Sequence, residues 1–221
     1  MIETAEKRRA GRVSPQAARR RASLDQVLIN AAMDLFASYG YRGTSLSRIA
    51  KAAGVTKGAL YWHFTDKEDF FLAVVDKVLG EWDKPAEART PASNASEFRR
   101  EFLWVFENMA RLNERNPWVS RLLLIITLES HKISPRVLRA IRKANLSHLD
   151  AFTEMVERGK KLGAFAPELD AEWAATQIFS SYLGLANLWY LHGPRFDLGR
   201  SLTRVAHEFL RQWSVGGEAP A

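Results

Sequence analysis

Two short amphipathic segments hinged on one glycine, in TSLSRIAKAAGVTKGALYWHF at 44–64, constrain this chain more than any other feature. Leu46, Ile49, Ala50 and Ala53 recur at helical spacing and predict a buried stripe, with Ser45, Ser47, Arg48 and Lys51 outside it. Thr44 is the expected N-cap of this helix. Gly54 accepts the left-handed conformation that ends a helix, and Val55 is the apolar residue that anchors the turn. Thr56 then caps a second short helix from Lys57 to about His63, held by Leu60 and Phe64. Two short helices across a tight turn are how a chain presents one helix to the major groove of DNA.

The charge distribution agrees with a polyanionic partner. Residues 1–64 carry 11 Lys and Arg against 4 Asp and Glu, which accounts for the whole formal charge of +7; the remainder is neutral. Hydrophobic residues make up 47%, enough for a packed core. The chain has no cysteine, which removes disulfides, thiolate metal sites and cysteine nucleophiles. Apolar runs such as Leu122 to Ile126 are far shorter than the roughly 20 residues of a membrane span. The expectation is a cytoplasmic protein with no membrane contact.

Along the chain, residues 1–22 read as a flexible basic arm, residues 23–82 as the DNA-binding domain and residues 83–221 as a neutral helical domain. Ser23 and Gln26 have capping-box spacing, so the first helix is expected to start there. Its apolar positions are Leu24, Val27, Leu28, Ala31, Leu35 and Phe36, and Gly40 or Gly43 ends it. Thr65 with Glu68 opens a further helix near Asp66. DKPAEARTPASNAS at 83–96, with two prolines, predicts a loop. Helices are then expected over 96–115, from Pro117 to about 130, from Ser134–Pro135 to Leu162, from Asp170 to His192 and over 198–213. No alternating strand pattern occurs. The fold class is all-α with about nine helices.

AAMDLFASYGYRGTSLSRIAKAAGVTKGALYWHFTDKEDFFLAV at 31–74 resembles the N-terminal domain of TetR-type transcriptional regulators. The likeness is dense over about 50 residues. Tyr61 to Phe64, with GLANLWYLHGPRFDL at 184–198, resembles the multidrug-efflux repressor branch. The resemblance implies a sequence-specific DNA-binding regulator that works without a cofactor. It most resembles a ligand-responsive repressor that releases its operator on binding a small hydrophobic or cationic molecule.

Candidate DNA contacts follow residue by residue. Thr44 and Ser45 stand at a helix N-terminus, where a phosphate is favoured. Arg48 is a phosphate candidate on an exposed face. Thr56, Lys57, Gly58 and Ala59 open the second short helix. The small pair Gly58-Ala59 serves either close approach to base edges or tight packing on the first helix. Gly58 gives up about 1 kcal/mol of helix propensity relative to alanine for that purpose. Tyr61 and His63 carry polar tips that reach phosphate, and Trp62 either stacks on the sugar-phosphate surface or is half-buried. Lys67 matches the family's phosphate-contacting lysine.

One such unit reads few bases, so a homodimer on a near-palindromic operator of double-stranded DNA is expected, with half-sites one helical turn apart. Ser180, Gly184 and Leu188 on one helix and Leu202, Val205, Phe209 and Trp213 on the next are the dimerisation candidates, although core packing competes for them. A small-molecule effector is expected among the C-terminal aromatics. Trp104, Met109, Leu128, Glu129, Phe152, Met155 and Phe179 are the candidate lining; ordinary core packing is the alternative for each.

Enzymatic chemistry finds no support. The five histidines are scattered, and no metalloprotease pair, nucleophile elbow, phosphate loop or dinucleotide fingerprint is present. A DNA-binding regulator without an inducer, or an activator, remains compatible with the same residues.

Overall fold

The computed structural model describes residues 15–87, 91–115 and 134–214, without the side chains of 15–26, 78–87 and 194. Among these residues it is all helix: α1 (Pro15–Tyr39), α2 (Leu46–Ala52), α3 (Lys57–His63), α4 (Lys67–Glu87), α5 (Ala95–Arg115), α6 (Pro135–Lys161), α7 (Ala171–His192) and α8 (Leu198–Trp213), with a 3-10 turn at Gly193–Arg195. The helix expected from Pro117 to about 130 lies outside the described residues, as do the basic residues of 1–14.

Most helix ends obey local chemistry. Gly40, Gly54 and Gly163 have φ near +70°, where a Cβ would be strained, and each follows a helix end. Ser134, Asp170 and Asp197 accept backbone N–H bonds from the first turns of α6, α7 and α8.

Four expectations about helix limits need correction. First, α1 starts at Pro15 and runs through Ser23, so Ser23 does not begin it. Proline suits a first helical position, and the following Ala and Arg residues are strong helix formers. Its buried face is Leu28, Ile29, Ala32, Met33, Phe36 and Ala37, whereas Val27 is exposed. Second, Ser45 rather than Thr44 caps α2, accepting from the Arg48 N–H at 3.2 Å. Third, Asp66 rather than Thr65 caps α4, accepting from the Asp69 N–H at 2.7 Å, and the Asp69 carboxylate reaches back to Thr65. Fourth, α4 continues through Pro85 to Glu87, inside the expected loop. A proline in the closing turn forfeits one backbone bond while Ala86 and Glu87 still favour helix.

Two apolar clusters organise the molecule. The first joins Leu28 and Phe36 of α1, Ile49 of α2, Leu60 of α3 and Phe70, Phe71 and Val74 of α4. Val137 and Ile141 of α6 belong to the same cluster, so the C-terminal part of the chain supplies two residues to the core beneath α3. The second cluster stacks Phe98, Phe102, Phe106, Phe165, Tyr182, Leu202 and Trp213. Each buried aromatic contributes roughly 1.5–3 kcal/mol of transfer free energy.

Candidate nucleic-acid interface

α3 is short, and only Leu60 holds it down: it is fully buried, one turn from the half-buried Phe64, which meets Phe70 edge-on at 4.7 Å. The rest of the helix faces outward. Thr56 caps it, its hydroxyl accepting from the Ala59 N–H at 3.2 Å, which leaves Lys57, Gly58, Tyr61 and Trp62 exposed. Trp62 is 72% exposed, which disposes of the half-buried alternative for it. A Cβ built at Gly58 meets nothing within 4 Å, so tight packing on α1 does not account for that glycine. The space over the start of α3 is open to an approaching duplex.

Around α3 the basic residues are oriented by the chain itself. The Arg48 guanidinium lies 3.8 Å from the centre of the Tyr39 ring and donates to the Gly43 carbonyl at 3.4 Å. The Lys57 ammonium sits 5.5 Å from the Tyr61 ring centre, and Trp62 meets His63 edge-on at 4.9 Å. Cations held over aromatic faces lose less rotamer freedom when they meet a phosphate.

Two expected phosphate contacts are turned inward. Thr44 is 1% exposed; its hydroxyl donates to the carbonyls of Leu35 at 3.1 Å and Gly40 at 2.9 Å, tying the end of α1 to the start of α2. That hydroxyl is therefore withdrawn as a DNA ligand. The Lys67 ammonium donates to the carbonyls of Tyr41 at 3.0 Å and Thr44 at 3.2 Å and lies 4.1 Å from the Tyr41 ring centre. Burial holds its pKa below the usual lysine value. The Tyr41 hydroxyl is pushed up, first by burial and then by the charges of Glu68 and Asp66. Lys67 thus clamps the α1–α2 turn against α4. Lys67→Ala should weaken operator binding severalfold and lower stability by about 1 kcal/mol, yet leave the salt dependence of binding unchanged. Titrations from low to moderate salt check this: a slope lower by about one unit would restore Lys67 as a phosphate contact.

Farther along, the expected ligand lining is divided. Met109, Phe152 and Met155 are buried in the second cluster, with the rings of Phe152 and Phe179 6.2 Å apart; Trp104 is half-buried and outside that cluster. Leu128 and Glu129 lie outside the described residues. One polar pair is buried there: the Asn113 amide donates to the Tyr182 hydroxyl and to the Met109 carbonyl, both at 2.8 Å. Burial raises the Tyr182 pKa, against the opposing effect of the Asn113 bond, so the hydroxyl stays protonated. Sequence reasoning missed an open cleft of about 670 Å³ between the α3–α4 corner and α6, lined by His63, Phe64, Leu72, Asp76, Lys143 and His148 among others.

The dimerisation candidates also divide. Leu202 and Trp213 are core residues; Phe209 stacks on Trp213 with ring centres 4.2 Å apart, and Val205 packs on the same cluster. Leu202 and Trp213 face the chain's own interior and are withdrawn, whereas Val205 and Phe209 pack on that cluster with part of their surface exposed. On α7, by contrast, Ser180, Gly184 and Leu188 are exposed, next to the equally exposed Trp173, Leu183 and Leu191. That stripe runs the length of the helix.

Comparison with known proteins places this geometry. Residues 28–74 match the family described as bacterial regulatory proteins, tetR family. The HTH-type transcriptional regulator AcrR of Shigella flexneri is 30% identical over 179 residues, 78% of this chain and 81% of that protein. The HTH-type transcriptional regulator TtgR of Pseudomonas putida is 30% identical over 177 residues, 77% of this chain and 82% of that protein. The crystal structure of the transcriptional regulator FadR from Bacillus subtilis, solved in complex with stearoyl-CoA, superimposes with a TM-score of 0.67 at 22% identity, covering 84% of this chain and 96% of that one.

Proposed function

Because the chain belongs to the tetR family of bacterial regulatory proteins, we propose that it is a ligand-responsive transcriptional repressor acting in the cytoplasm. It reads a near-palindromic operator as a homodimer and releases it when a small hydrophobic or cationic molecule binds among the C-terminal helices. It is a regulator and not an enzyme. The observation that carries the reading is α3: Lys57, Gly58, Tyr61 and Trp62 exposed on a capped helix whose only buried residue is Leu60. Among the described residues no helix is long and apolar enough to cross a membrane.

The dimer is assigned to the exposed stripe of α7, where Gly184 has open space around its Cα and lets a second helix approach closely. Ligand response rests on the aromatic C-terminal helices, and the stearoyl-CoA bound to the B. subtilis protein supports it. Both α4 and α6 are connectors. Phe70, Phe71 and Val74 of α4 and Val137 and Ile141 of α6 share one cluster with Leu60 of α3, so a shift of either helix is felt by the recognition helix. The ligand lowers operator affinity by its differential affinity for the two arrangements and by no more.

Selection of binding sites from fragmented genomic DNA by the purified protein, near physiological salt, tests this. Recovery of a near-palindrome is the expected result; one beside a transporter gene would add support for the efflux branch. DNA recovered without sequence enrichment, by protein shown to carry no bound small molecule, would overturn the reading.

A further inference from the structure

Among the described residues, a basic surface outside the α1–α3 unit lies on the first three turns of α6. Residues 134–148 carry Arg136, Arg139, Arg142 and Lys143 and no carboxylate, and all four cations are exposed. At 3.6 residues per turn, Arg136, Arg139 and Lys143 fall on one arc about 60° wide, with Arg142 about 60° beyond it. A run of charge on a helix is ordinarily a solvated face. Three observations set this one apart.

First, α6 is fixed to the DNA-reading unit: Val137 and Ile141, on the far side of the helix from the stripe, are 0% and 7% exposed in the cluster that holds Leu60 of α3. Second, the stripe begins beside the end of α3. The Arg136 guanidinium lies 3.6 Å from the Asp69 carboxylate, which also accepts from the Thr65 backbone N–H at 3.2 Å in the turn that follows α3. Third, Lys143 and His63 line the same open cleft, so the stripe borders the C-terminal end of the recognition helix. A duplex continues past that end with one negative charge per roughly 1.7 Å of axis.

We propose that α6 is a second DNA surface, on which Arg139, Arg142 and Lys143 contact the phosphate backbone flanking the bases that α3 reads. Arg136 neutralises Asp69 at the start of the stripe and so keeps that carboxylate from repelling the duplex. The contact is to phosphate and independent of sequence; it lengthens the footprint without adding base readout. The inference rests on the DNA-binding reading above.

The test is the triple variant Arg139→Gln/Arg142→Gln/Lys143→Gln, compared with Arg99→Gln/Arg100→Gln/Lys161→Gln. The second set removes the same charge around the opposite end of α6, about 30 Å away, where Arg158 of α6 pairs with Glu101 of α5. Affinities for the selected operator and for a random duplex, each with one extra helical turn on either side, are measured across a salt series. The α6 variant should lose nearly three units of salt slope, at roughly 0.9 per phosphate, and at least tenfold in affinity for both duplexes. The far-end variant should keep the wild-type slope. Trimming the flanking turns should abolish the difference between the two variants. Equal slopes in the two variants on the long duplexes would overturn the proposal. A wild-type protein with no salt-dependent affinity for any duplex would instead overturn the regulator reading itself, a result no α6 substitution can mimic.

Discussion

Gly159→Ala should destabilise the protein by about 1–3 kcal/mol, although alanine is the better helix former by about 1 kcal/mol. Gly159 lies inside α6, where a Cβ would stand 2.5 Å from Cδ2 of Phe165 and 2.6 and 2.7 Å from Cε1 and Cζ of Phe98. Those rings are fully buried and meet edge-on at 5.3 Å, and Phe102 packs against both. None can swing into solvent, so the methyl group must be accommodated by moving α6 away from α5. At about 2–4 °C per kcal/mol for a chain of this size, the midpoint of thermal unfolding should fall by several degrees. Calorimetry checks it; an unchanged or higher midpoint would mean that α5 and α6 separate at no cost. Operator affinity well below the midpoint should stay near wild type, because Gly159 is remote from α3.

The contrast between what could and could not be read from sequence runs along the same line, local against distant. Ser134 and Asp170 were legible as caps because their bonds close within three residues. The inward turn of the Thr44 hydroxyl and the Lys67 ammonium was not legible because it rests on partners outside their own helices. The Thr44 hydroxyl reaches back to Leu35, and the Lys67 ammonium reaches Tyr41 and Thr44, 26 and 23 residues away. Nothing near Lys67 in sequence announces that two carbonyls and an aromatic ring will converge on it. Likewise, an apolar stripe such as Leu202, Val205, Phe209 and Trp213 says only that something covers it. That this chain's own Phe102, Phe106 and Phe165 meet Phe209 and Trp213 is set by how α5 and the α6–α7 loop fold back. The Ala166 N–H, bonded to the Trp213 carbonyl at 2.7 Å, fixes that loop to the end of α8. The α4–α6 cleft and the reach of Val137 into the first cluster belong to the same class, since both join residues that are distant in sequence.

Gly58→Ala should do the reverse of Gly159→Ala, stabilising the fold while damaging its use. The helix position is unstrained, with φ outside the left-handed region, and a methyl group there enters open space. Alanine should therefore add up to about 1 kcal/mol through helix propensity and the smaller entropy of the unfolded chain. A glycine that lowers stability and touches nothing inside the protein has its justification outside it. With α3 in the major groove, the added methyl falls between the start of the helix and the base edges or the backbone they hang from. Operator affinity should drop roughly tenfold or more, a loss of about 1.4 kcal/mol per decade. Binding to random DNA, which is made through phosphates and tolerates a looser fit, should change far less. Thermal unfolding and a paired titration of operator and random duplex separate the two effects. If stability rises and operator affinity holds, α3 does not press its first turn to the bases, and recognition must come from Lys57, Tyr61 and Trp62 alone.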